Sequence, residues 1–192
     1  MNPPAPRFRS GAGRLCLDLV RTLRHRGTPA ETEELTDEAA LTAWIAHCAP
    51  RTVATGTQPA PADHVATARQ LREAVHTLLT CARTGTPADC PPAARTLLND
   101  LAAANPPAPQ LDSRGHLHRT APDPIAATLT LIARDALDLA TSNLIPRLRI
   151  CEGHDCQALF LDLSRPGTRR WCSMGTCGNR AKKQALRDRA AR

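Results

Sequence analysis

Two cysteine pairs near the C-terminus constrain this chain more than anything else in it. They are Cys151-Glu-Gly-His-Asp-Cys156 and Cys172-Ser-Met-Gly-Thr-Cys177, with residues 157–171 between them. Zn²⁺ has no directional preference from its d shell, so four thiolates close around it tetrahedrally, and short Cys-x₂₋₄-Cys spacings deliver two ligands from one turn. On this reading Cys151, Cys156, Cys172 and Cys177 hold one structural Zn²⁺, and the insert forms the hairpin between two knuckles. Gly153 and Gly175 sit inside the two loops, where a chain bending around a metal is expected to need positive φ. Two disulfides, or four unrelated buried thiols, are the competing readings. His154 lies within the first pair, but four cysteines already complete a ligand set.

The segment Met1–Pro6 lacks the apolar run of a signal peptide, and no stretch approaches the ~20 apolar residues of a membrane span. A cytoplasmic protein with no membrane partner is therefore expected, and in that compartment thiols stay reduced and open to metal. Charge is distributed unevenly. Residues 146–192 hold 11 Lys/Arg against 4 Asp/Glu, whereas residues 1–145 hold 14 of each, so the formal +7 belongs to the C-terminal part. Beside a zinc module such a bias points to a polyanion.

Aromatic residues make up only 2% of the chain, so its core must come from Leu, Val, Ile and Ala, which favours helices. Residues 1–12 read as a loose arm. Leu15, Cys16, Leu19, Val20 and Leu23 recur at helical steps up to Gly27-Thr-Pro29. The acidic stretch Glu31–Glu34 reads as a loop, with Thr36 as N-cap of a helix carrying Leu41, Trp44, Ile45 and Cys48 on one face. Residues 51–60 read as a loop. From about Pro61 to Arg83, Val65, Ala68, Leu71, Val75, Leu78, Leu79 and Ala82 form a continuous stripe, stopped by Gly85. A helix opening at Pro91-Pro92 carries Leu97, Leu98 and Leu101. Gln110–His118 predicts a hairpin turning at Asp112–Gly115. Asp123-Pro124 starts a long helix to about Leu144 with Ile125, Leu129, Ile132, Ala136, Leu139 and Ala140 inside.

Arg147–Ile150 predicts a short strand into the first knuckle, with the module held against the last helix because no linker intervenes. Phe160 is expected in its core, Trp171 over the zinc site in preference to a base, and Pro166-Gly167 at the hairpin turn. A helix starts after Cys177-Gly178, and Asn179, Lys183 and Arg187 form a ridge on it, with Arg180 beside it and Lys182 on the other flank. Arg165, Arg169, Arg170, Asn179, Arg180, Lys182, Lys183 and Arg187 are the nucleic-acid candidates. Lys and Arg neutralise phosphates, while Asn179 and Arg180 are the candidates for base reading. Asn179 also has a bracing role open to it beside the last ligand. Cys16 and Cys48 read as small core residues. No catalytic triad, paired-carboxylate motif or nucleotide fingerprint appears, so a non-enzyme is expected.

The runs Phe160-Leu-Asp162-Leu-Ser164-Arg165, Arg169-Arg170-Trp171-Cys172-Ser-Met and Cys177-Gly-Asn-Arg180 resemble the CGNR zinc-finger family from about Cys151 to Lys183. The resemblance implies a DNA-binding zinc module behind an N-terminal ABATE-type domain, in proteins described as stress-induced transcription regulators. Leu15-Cys-Leu-Asp18-Leu-Val-Arg21-Thr22-Leu23 resembles the opening motif of that domain, with Arg21 where the family usually has Asn. The expected fold is mainly α: a mostly helical domain over 1–145, then a treble-clef-like Cys₄ module (α+β) with a basic C-terminal helix over 146–192. The expected function is zinc-dependent binding of duplex DNA in transcription regulation, the helical part sensing a small-molecule effector or holding a homodimer. An RNA- or tRNA-binding protein is one alternative, disfavoured by the few aromatics available for stacking. The other is an enzyme with a structural zinc and a pocket around Asp18 and Arg21.

Overall fold

The computed structural model describes residues 8–49 and 62–190. Where the described chain opens it is already packed: Phe8 and Ala12 are buried, so residues 8–12 are not the loose arm their composition predicts. The cause lies in α1 (Leu15–Val20), whose Asp18 carboxylate accepts hydrogen bonds from Gly11 N at 3.2 Å and Ala12 N at 2.8 Å. α1 stops short of Leu23 because the chain turns at Thr22, whose hydroxyl donates to Leu19 O at 2.7 Å. Leu23–Arg24 then forms β1, paired antiparallel with β2 (Thr32–Glu33), where the acidic stretch predicts only loop. Ion pairs hold this short ladder. Arg24 reaches Glu34 at 3.1 Å, and Arg72 clamps Glu33 through two bonds of 2.7 Å.

Asp37, not Thr36, caps α2 (Glu38–Cys48): its carboxylate accepts from Ala40 N at 2.8 Å, while the Thr36 hydroxyl donates to Asp37. Leu41, Trp44 and Ile45 are buried on the predicted face. The loop predicted for 51–60 lies outside the described residues.

The stripe on α3 (Ala62–Arg83) is buried along its whole length, and the helix ends before Gly85, whose φ of +98° is one glycine adopts without strain. α4 (Pro92–Ala103) packs through Leu98, with Leu97 and Leu101 partly covered. β3 (Ala108–Leu111) and β4 (Leu117–Thr120) form the predicted hairpin, its turn fastened by the Asp112 carboxylate, which accepts from Arg114 N and His116 N at 2.8 Å each. α5 (Pro124–Thr141) is capped by Asp123, which accepts from Ile125 N and Ala126 N. It ends before Leu144, where the Ser142 hydroxyl donates to Leu139 O at 2.8 Å. The helices α3, α4 and α5 pack on one another, and α1 lies across α3 and α5. Each large aliphatic residue sealed among them contributes roughly 1.5–3 kcal/mol.

A 3₁₀ turn at Ile145–Arg147 leads into β5 (Leu148–Ile150), which pairs antiparallel with β6 (Leu159–Leu161). The module rests against the arm and α1, and the turn that opens it also touches α3 and α5. Leu161 N donates to Ala12 O at 2.8 Å. Gly13 permits the approach: at φ +100° its missing Cβ would lie 2.9 Å from the Leu161 Cβ. Leu148, Leu159, Phe160 and Leu161 belong to the same buried cluster as the helices. Among the described residues no helix is long and apolar enough to cross a membrane.

Candidate metal centre and nucleic-acid interface

The hairpin β5–β6 carries the first knuckle at its tip, with Cys151 directly after β5 and Cys156 before β6. The insert does not fold into the predicted hairpin of its own. Its turn at Pro166-Gly167 is present, with Gly167 N donating to Ser164 O at 3.1 Å, but the returning limb pairs elsewhere: Glu152 N donates to Arg170 O at 2.9 Å. Asp162 sets this path. It is fully buried, and its carboxylate accepts from Ser164 N at 2.9 Å and Arg169 N at 2.8 Å. Arg147 closes the same turn by donating to Asp162 O and Ser164 O.

The limb brings Cys172 and Cys177 over the first pair. The four sulfur atoms lie within 4.8 Å of one another, at 3.6 Å for Cys156–Cys172 and 3.8 Å for Cys172–Cys177. Zn–S bonds of about 2.3 Å give a tetrahedron with edges of about 3.8 Å, whereas a disulfide closes to about 2.05 Å. All four are free thiols, and the cluster fits one structural zinc ion. Cys172 N at 3.3 Å and Gly153 N at 3.5 Å donate to Cys151 Sγ and fix its place in the cluster. Hydrogen bonds from Cys151 and Cys172 pull Cys156 toward thiolate. Hydrogen bonds with Cys151 and Cys156 push Cys172 up, and burial does so for Cys177. Sulfurs this close share protons until a cation displaces them.

Gly153 is required for space, not for backbone handedness: it lacks the predicted positive φ, but a Cβ there would stand 3.3 Å from Cys177 Sγ and from Cys156 Cβ. Gly175 has neither reason, since its φ is ordinary and the nearest atom to the place a methyl would take, Ser173 Oγ, is 3.9 Å away. His154 is exposed and bonds to Asp155 outside the cluster. Trp171 lies beside the site, close to Gly178, with the Arg170 guanidinium 5.1 Å from its ring centre.

The basic candidates separate by environment. Arg169 turns inward, donating to Cys172 O at 2.9 Å and lying 5.0 Å from the centre of the fully buried Phe160 ring. Arg170 is exposed but bonds to Glu152 at 2.6 Å, and Arg165 is exposed at the turn. A π-helical turn, Met174–Gly178, carries Cys177 into α6 (Asn179–Ala190), which has no buried residue. Asn179 donates to Gly175 O at 3.2 Å, bracing that turn. A groove of about 860 Å³ separates α6 from the first knuckle. Arg180, Lys183 and Arg187 line one wall, and Glu152, His154 and Asp155 the other, while Lys182 lies outside it.

Two further groove residues come from the helical part: Arg9, and His25, whose Nδ1 lies 2.6 Å from Asp155 O. Neither belongs to a motif or a periodic face, so sequence reasoning had no signal for them. Burial and the nearby Arg24 push Arg9 below the usual arginine value, against the opposing pull of Cys156 and Cys177. Of the pair expected around a rival pocket, Asp18 holds the arm, while Arg21, buried with Nη1 3.7 Å from that carboxylate, lines a small recess behind the groove.

Comparison with protein families agrees with this geometry. The ABATE model, described as "putative stress-induced transcription regulator", matches residues 13–143, and the CGNR zinc-finger model matches 147–190. Neither description is that of an enzyme. No curated protein matches the chain. A zinc-finger cysteine cluster thus follows a helical part that accounts for most of the length, and the chain belongs to the ABATE family, with a CGNR zinc finger at its C-terminal end.

Proposed function

We propose that this chain is a transcription regulator that grips duplex DNA through its zinc-stabilised C-terminal module, with Cys151, Cys156, Cys172 and Cys177 as the metal ligands. The observation that carries this reading is α6. It begins at the last cysteine, buries no side chain and bears Arg180, Lys182, Lys183, Arg187 and Arg189. A helix with no apolar contribution to the core and five cations is suited to phosphate contact. Arg180, one residue into the helix, stands where recognition helices commonly meet base edges, and Lys182, Lys183 and Arg187 take phosphates. Arg169, turned inward, and the exposed Asn179 fix the two ends of the second knuckle. When bound, zinc supplies the cross-link that sets the start of α6, and no chemical step is assigned to it. We read the helical part as a binding and regulatory unit with no catalytic role.

The test is truncation after Asn179 in the zinc-loaded chain. It keeps the brace on the second knuckle and removes no buried side chain among the described residues, so zinc content and the main unfolding transition are expected to stay. Affinity for a DNA site selected by the full chain should fall toward the non-specific range. Undiminished DNA binding by the truncated chain would move the interface off α6. Preference for a structured RNA over every duplex DNA tested would overturn the choice of partner.

A further inference from the structure

The groove beside α6 continues inward into a recess of about 20 Å³, and Arg9, His25 and Cys156 belong to the walls of both. Arg9, Arg21, Arg24 and Arg26 converge on the recess, together with His25 and His76. Three of these guanidinium groups have carboxylate neighbours: Arg21 beside Asp18, Arg24 on Glu34, and Arg26 on Glu73. Arg9 is half-buried and makes no hydrogen bond or salt bridge among the described residues. Arg24 Nε is buried and has no acceptor among the described residues. A buried donor left unmatched is costly, so Arg24, which lines the recess, carries a donor in want of an acceptor.

Backbone geometry singles out the same place. Among the described residues, His25 (φ +54°) and Gln157 (φ +48°) are the non-glycine residues in the left-handed region, and both wall the recess. Such conformations persist where the surroundings over-determine them, often at ligand clamps. The volume bounds the occupant. About 20 Å³ admits one water-sized group, while the groove outside has the size of a site for a compact organic molecule.

We propose that the recess and its mouth bind a small phosphate-type oxyanion carried on a compact ligand. One oxygen seats against Arg24 Nε and the Arg9 guanidinium, and the body lies in the groove against Arg180 and Lys183. Guanidinium forks match tetrahedral oxyanions in geometry as well as charge. A ligand held this way touches the helical part and α6 at once, and draws on the cations that the DNA reading assigns to the helix. Effector occupancy and nucleic-acid access would then exclude each other. The site itself does not depend on the DNA reading.

The experiment uses the full zinc-loaded chain, with inorganic phosphate as the probe and chloride at matched ionic strength as the control. Thermal unfolding is followed and zinc content is measured after each titration. Phosphate is expected to raise Tm saturably beyond chloride. Arg9→Gln removes no observed hydrogen bond, and should keep the Tm in chloride and the zinc content while weakening phosphate by about tenfold. Arg114→Gln, exposed at the turn of the β3–β4 hairpin and outside both recess and groove, should respond as the wild type does. Equal behaviour in phosphate and chloride overturns the site, as does an unaltered phosphate response in Arg9→Gln. Loss of zinc from Arg9→Gln without loss of phosphate binding would show that Arg9 only balances the thiolates. An equal fall in duplex-DNA affinity for Arg9→Gln would assign the recess to a backbone phosphate and overturn the compact ligand.

Discussion

Removing zinc should unfold one end of the molecule and spare the other, and the division can be worked out from burial. α6 has 12 residues, none buried, and packs chiefly on the turn that carries Cys177. Isolated helices shorter than ~12–15 residues are marginal in water, so α6 depends on the ordered turn that starts it. That turn depends on the cysteine cluster, because small zinc modules draw about 10–16 kcal/mol of folding free energy from the metal. The β5–β6 hairpin is different: Leu148, Phe160 and Leu161 are at most 3% exposed and share the helical core. A chelator should therefore melt residues 172–190 and leave 148–150 and 159–161 in place. With about 53% of the described structure helical, losing these 12 residues costs on the order of a tenth of the far-UV helical signal. Circular dichroism measures that loss, and hydrogen exchange assigns it, with protection vanishing in α6 and persisting in β6. Protected α6 amides after complete zinc removal would refute the dependence of helix on metal. Loss of more than half the ellipticity would refute the independence of the core.

Three other outcomes follow from named contacts. Arg72→Ala leaves Glu33 without its clamp and should cost about 2–4 kcal/mol in urea unfolding, below the usual cost of breaking a buried pair because Glu33 is partly exposed. A change below 0.5 kcal/mol would mean the clamp adds nothing measurable. Gly153→Ala places a methyl 3.3 Å from Cys177 Sγ and should weaken zinc by on the order of tenfold in chelator competition, while Gly175→Ala should match the wild type. Glu33 and Glu73 are held below the usual 4.5: burial opposes the shift, and bonds from Arg72 and Arg26 outweigh it. A depressed folded-state pKa gives stability that is present above 4.5 and lost as pH falls through the folded values. Glu33→Gln should therefore flatten the acid side of the stability profile, and an unchanged slope between pH 5 and about 3 would contradict this. Asp18 and Glu34, pushed up mainly by burial, contribute in the opposite sense.

What could be read from the sequence was whatever depends on near neighbours. The α3 stripe, the Asp123-Pro124 cap, the Asp112 turn and the cysteine spacing each act within a few residues, and each stands where it was predicted. What escaped depends on partners far along the chain. β1 and β2 have two residues each, too few for an alternating pattern, and exist because Arg72 reaches Glu33 across 39 positions. β6 pairs with β5 because Asp162 is drawn into bonds with Ser164 and Arg169, a choice that composition does not announce. Thr36 and Asp37 are both good caps, and the structure uses the one whose carboxylate reaches Ala40. The cysteine cluster was legible as a whole, but Arg9 enters its groove through the docking of the arm, and His25 through the turn that follows β1.

That docking also limits how the molecule can be taken apart. Gly13 lets the arm lie directly on Leu161, with Ala12 O holding the strand by a backbone bond. The apolar faces of Leu148, Leu159, Phe160 and Leu161 are covered by the rest of the chain. A finger excised at residue 146 would carry those four side chains into water, and should aggregate or lose its hairpin when produced alone. Grafting it onto another protein would require bringing the arm and α1 along, or replacing the exposed leucines and phenylalanine. The C-terminal module is thus a poor spare part. Its orientation, and so the direction in which α6 points, is inherited from the helices it leans on.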